Sequence, residues 1–253
     1  MNSRDRTFLA LDHKIGDRIP IDFWATGSVA QHLETRFGKP YKEILDEFDV
    51  DLRYIAGPEY IGPPLKDGTD IWGVERTIVV AGNSKQSESY AEVKKAPLSD
   101  AKSPEEIDAY DHWPDPDMFD YSVIEEQCDA ILDDDRVVVF MGDRLNRVAQ
   151  LKPAMYLRGT GTIFLDLVEN PEIATAIFRR IRKFYLAYLE NILQAAKGKI
   201  DIVLTGDDFG AQKTLLISPG MWRHFFKPGF KDYINLIKRH NTITMHHSCG
   251  CVV

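Results

Sequence analysis

Cysteine is scarce in this chain: only Cys128, Cys249 and Cys251 occur among its 253 residues. With two of them crowded beside histidines, that count argues against a disulfide framework and for reduced thiols that can take a metal. Long apolar runs are missing as well. Nowhere do about 18 consecutive apolar residues stand in line, as a membrane span requires. The opening MNSRDRTFLALDHKIGDR holds no uninterrupted apolar stretch of the signal-peptide kind. The expectation is a cytoplasmic protein without membrane contact. Positive charge is the third shortage: 31 Lys and Arg stand against 39 Asp and Glu, for a net charge of −8, with no basic stripe to track phosphates. That argues against nucleic acid as a partner and leaves a small-molecule substrate. What remains is ordinary for a globular chain, 44% hydrophobic and 28% charged, which excludes general disorder.

Strand and helix signals alternate along the chain. SRDRTFLALDH reads as a short helix capped by Ser3, and RIPIDFW opens a first strand at Arg18. Helices follow over Val29–Phe37 and Tyr41–Phe48, then a second strand over Asp51–Gly57. Between residues 58 and 135 the pattern loosens into a proline-rich elaboration of the same single domain. It holds a hairpin whose first strand runs through Ile71–Val74, a helix started by the capping box of Ser103 and Glu106 with Pro104 between them, and a helix over Tyr121–Leu132. Val137–Met141 is apolar throughout, the mark of a strand buried on both faces of a parallel sheet. Helices over Gln150–Leu157, Thr162–Val168 and Pro171–Ala196, the last capped by Asn170, precede a strand in IDIVLTGDDFG. A helix from Ser218 to His240, kinked at Pro228, leads to a fifth strand at Thr242–Met245. Repeated strand-then-helix units predict a parallel α/β fold. The polar clusters fall at the C-terminal ends of strands, where a (β/α)8 TIM barrel carries its active site. Closure needs eight strands, so the expectation is an incomplete barrel or an open doubly wound sheet.

The chemistry concentrates at those strand ends. In TITMHHSCGC, imidazole and thiolate are preferred ligands of zinc, and His247 and Cys249, two apart on extended backbone, project to one side. His246 then faces into packing, and a turn at Gly250 makes Cys251 the lesser candidate ligand. Asp207 and Asp208 follow an apolar strand directly, which would place two carboxylates at the mouth for proton or cation work. The alternative is that one caps the next helix or pairs with Lys213. Asp143, with Arg144 and Arg147, is a candidate hold on an anionic substrate, or else a solvated loop.

GDDFGAQKTLLISPGMWRHFFKP, followed downstream by MHHSCG, resembles the uroporphyrinogen decarboxylase superfamily, which includes cobalamin-dependent methyltransferases. DRIPIDFW and YLRGTGTIFLDLVENPE look like that family too, so the resemblance spans most of the chain. It implies a (β/α)8 TIM barrel with about three of its eight βα units beyond this sequence. It also implies catalytic roles for Asp207 and Asp208, and a substrate-binding role for Gln212 beside Asp143. In the methyltransferase branch, His247, Cys249 and a later Cys would hold zinc, which activates a thiol acceptor for a methyl group from a corrinoid, itself carried on a corrinoid protein. Decarboxylases of the family carry an arginine just after strand one; FWATGSVAQ has none, which favours the methyltransferase branch. Two alternatives stay open. One is a metal-independent decarboxylase of a porphyrinogen-like acid; the other is a non-catalytic fragment whose open edge is covered by a partner or a second copy.

Overall fold

Three helices, α1 (Ser3–Leu11), α2 (Gly27–Phe37) and α3 (Tyr41–Glu47), precede β1 (Leu52–Tyr54). An elaboration follows with β2 (Glu59–Tyr60), the hairpin of β3 (Glu75–Asn83) and β4 (Gln86–Lys95), α4 (Pro104–Asp108), β5 (Phe119–Asp120) and α5 (Ile124–Leu132). Strand and helix then alternate through β6 (Val137–Phe140), α6 (Leu151–Arg158), α7 (Thr160–Glu169), α8 (Pro171–Ala195), β7 (Ile202–Gly206), α9 (Pro219–Phe225), α10 (Lys227–Arg239) and β8 (Ile243–His247). The computed structural model describes residues 1–83, 86–141 and 148–252, the side chains of 81–89 excepted. Asp143, Arg144 and Arg147 lie outside the described residues.

β1, β6, β7 and β8 pair in that order, all parallel. Every residue of β6 and β7 is buried, because helices cover one face and inward side chains fill the other, so neither strand shows polar alternation. The helix side centres on α8, where Ile177, Ile181 and Ile192 are fully inaccessible; each stabilises the fold by roughly 1.5–3 kcal/mol on leaving water. On the opposite face Leu52, Val137, Val139, Met141, Ile202 and Leu204 form a second, smaller cluster. The arrangement is an α/β fold on a parallel central sheet, compatible with part of a barrel. No helix among the described residues is long and apolar enough to cross a membrane.

Several expectations need correction. The strand expected at Arg18 does not form, so among the described residues the sheet has four strands, not five. Pro20 has no amide to donate, and the Ile21 amide is taken by the Asp51 carboxylate at 2.7 Å. Ile19 is left 84% exposed. α1 is capped by Asn2, whose side chain accepts from the Asp5 amide, and not by Ser3. The hairpin begins at Glu75, after the expected start, because the buried Asp70 carboxylate accepts the amides of Trp72 and Val74 and folds Ile71–Val74 into a turn. Near Pro228 the chain does not kink within one helix; it starts a new one, α10. Asn170 sits at the α8 N-cap, but its side chain bonds Asp166 instead of an α8 amide.

Candidate metal centre

The parallel register of β7 and β8 sets Gly206 beside His247, so the loops leaving the two strands start side by side. Backbone contacts lock them together. The Asp207 amide donates to the His247 carbonyl at 3.2 Å and the Cys251 amide to the Ala211 carbonyl at 2.8 Å. The Phe209 amide donates to Ser248 Oγ at 3.1 Å. Two glycines permit the approach. A Cβ on Gly210 would lie 2.6 Å from the Cys251 nitrogen; one on Gly250, where φ is +84°, would lie 2.3 Å from the Gly210 oxygen.

Between the loops, one ligand atom each from Asp208, His247 and Cys249 fall within 4.8 Å of one another. His247 Nε2 is 3.2 Å from Cys249 Sγ and 3.7 Å from Asp208 Oδ1. A tetrahedral zinc with ordinary bond lengths separates such ligand atoms by about 3.3–3.6 Å; the two His247 separations lie within a few tenths of an ångström of that range, and Asp208 and Cys249 lie within 4.8 Å of each other. They offer N, O and S donors, the ligand types that three-ligand zinc sites use while leaving a fourth position open. Burial alone would raise the Asp208 carboxyl. The Cys249 amide and thiol, helped by Lys152 and His247, outweigh that and hold it below the usual carboxylate range, in the anionic form a metal needs.

Asp207 points the other way, into the start of α6. It is fully buried, and its two oxygens accept the amides of Gln150, Leu151 and Lys152 at 2.6, 3.0 and 2.8 Å. No side chain of α6 caps that helix; Asp207 supplies the cap from the end of β7, satisfying amides that would otherwise be orphaned. Desolvation pushes its pKa up to about 6 in spite of these three bonds. A carboxyl whose folded pKa exceeds its unfolded one stabilises the fold when protonated; that contribution is full below about pH 4 and is lost as pH rises through 6. Lowering the pH from 7 to 5 is therefore expected to raise the stability of wild type relative to Asp207→Asn by about 1 kcal/mol. Calorimetry in the presence of a chelator reads this; parallel pH curves for the two proteins would refute it.

His246 lies outside the cluster, its Nδ1 2.9 Å from Thr205 Oγ1 and its ring edge-on to Phe230. Cys251 is not a member of that trio, and Gln212 is exposed. Lys152, in the first turn of α6, brings its ammonium 3.6 Å from Asp208 Oδ2. No spacing in the sequence points to Lys152, because it arrives from a different βα unit. A cleft of about 370 Å³ behind β8, lined by Phe209, Trp222, Arg223, His246 and Ser248, adjoins the site. A wider one of about 650 Å³, between Tyr60, Asp70, Tyr110 and Trp113, shares no residue with it. The fold resembles that of a methyltransferase. A methyltransferase from Methanosarcina mazei superposes with a TM-score of 0.58 at 15% identity, over 99% of this chain and 70% of that chain. No known family's sequence profile matches the chain, and no curated protein does. At that identity the likeness is one of fold.

Proposed function

We propose that the chain is a zinc-dependent methyltransferase of the uroporphyrinogen decarboxylase type, with Asp208, His247 and Cys249 as the ligands. The observation that carries this is the N, O, S cluster at the C-terminal ends of two parallel strands, the end at which α/β barrels place their chemistry. Bound there, zinc would lower the pKa of an acceptor thiol so that it attacks as thiolate. The chain's own residues define the rest. Asp208 supplies a fixed anionic ligand. Asp207 anchors α6 beside the cluster. The exposed side chains of His247 and Cys249 leave it approachable by a donor. The resemblance in the sequence makes that donor a corrinoid, carried on another protein, and the fold likeness to a methyltransferase supports the same branch.

Protein purified with zinc is expected to hold one equivalent by elemental analysis, and a His247→Ala/Cys249→Ala double variant none. Zinc retained by the double variant sinks the proposal, as does methyl transfer undiminished by a chelator, and decarboxylation undiminished by a chelator points to the metal-independent decarboxylase.

A further inference from the structure

The two oxygens of Asp208 have separate partners. Oδ1 accepts the Cys249 amide at 2.9 Å and lies 3.7 Å from His247 Nε2. Oδ2 faces the Lys152 ammonium at 3.6 Å. Lys152 is itself held in place, since its amide is one of the three gripped by the buried Asp207, and its ammonium lies 5.9 Å from the centre of the Tyr156 ring. Arg76 stacks on the same ring at 4.4 Å, but its guanidinium is engaged by Asp70 at 2.7 Å. Of these two cations, Lys152 is the one whose charge is directed at the cluster.

A carboxylate can ligate a metal through one oxygen or both. With Oδ2 drawn to an ammonium, Oδ1 is the oxygen that meets His247 Nε2 and the Cys249 amide. Resting on the metal site proposed above, we infer that Lys152 is a positioning residue: it holds Asp208 to one-oxygen ligation and so keeps the fourth coordination position open for the acceptor thiol. Partners of this kind, which orient a ligand without touching the metal, commonly set both affinity and coordination.

Cobalt(II) tests this, because its visible spectrum reports coordination number and thiolate ligation. The full chain is compared with Lys152→Met and Lys152→Arg, using 2-mercaptoethanol as a neutral thiol and mercaptoacetate as an acid-bearing one. All three proteins are expected to bind cobalt. Wild type and the Arg variant should show a four-coordinate spectrum and take up both thiols. The Met variant should shift toward five-coordinate and bind both thiols about tenfold more weakly. Unchanged thiol binding in the Met variant overturns the inference. So does a loss confined to mercaptoacetate, which would assign Lys152 to the acid group of the acceptor. If wild type takes no cobalt, or His247→Ala/Cys249→Ala takes it equally well, the metal site fails first and this inference with it.

Discussion

Gly250→Ala is expected to weaken zinc binding sharply while leaving the protein folded. The new methyl group would sit 2.3 and 2.4 Å from the Gly210 oxygen and carbonyl carbon and 2.8 Å from the Ala211 oxygen. All three are backbone atoms, so no side chain can swing away to make room. The residue also occupies φ +84°, a region in which a Cβ costs roughly 1–3 kcal/mol. Relief comes only by parting the two loops, and that motion breaks the Cys251–Ala211 bond and carries Cys249 away from Asp208. Affinity for zinc should fall by about 10- to 100-fold, measured by competition with a chromophoric chelator, while far-ultraviolet circular dichroism stays near that of wild type. Gly161→Ala is the control. Nothing lies within 4 Å of a Cβ on Gly161 in α7, and wild-type zinc affinity is expected. Equal affinity in both variants would show that the loop contact does not shape the site.

Asp51→Ala should produce the largest loss of stability. Asp51 stands at the N-terminal end of β1 with its side chain wholly buried, paired with Arg6 and Arg18 and accepting the Ile21 amide. Burial alone would raise its carboxyl, but Arg18, that amide and Arg6 hold it below the ordinary range. Truncation orphans the Ile21 amide and strips one partner from the buried Arg6, which keeps only Asp17 as a carboxylate partner. Losing one side of such a buried pair costs about 3–5 kcal/mol, a fall in Tm on the order of 10 °C for a chain of this size. Asp134→Ala, which removes the exposed pair with Lys42, should cost less than about 1 kcal/mol. Because Asp51 lies at the opposite end of the sheet from the cluster, the folded Asp51→Ala protein should bind zinc as wild type does.

β6 and β7 were legible from sequence because strands buried on both faces must be apolar throughout. The juxtaposition of His247 and Cys249 was legible because it is local, two residues along one strand end. The third member of the cluster was not. Asp208 meets His247 only through the β7–β8 register, and the sequence offered it for proton or cation work beside Asp207, not as a neighbour of Cys249. Asp207 does cap a helix, but α6, which precedes it in the chain, and not the helix that follows. The first strand misled for a related reason. RIPIDFW has the composition of a strand, yet the amide a ladder would use is claimed by a side chain from another segment, Asp51. Side-chain capture of backbone amides, by Asp51, Asp70 and Asp207 in turn, accounts for the missing strand, the late hairpin and the α6 cap, and periodicity carries no record of it.

β8 forms the margin of the sheet, paired with β7 alone among the described residues, and its side chains are half-buried or exposed while those of β6 and β7 are buried. Such a strand is among the first parts of a fold to detach in the brief openings that expose amide hydrogens to exchange. Two of the three donors ride on it or just past its end. An ion shared with Asp208 would therefore act as a rivet, tying the most easily shed strand to its interior neighbour. Loading and loss of the metal would then follow the breathing of that one strand, not the unfolding of the whole protein.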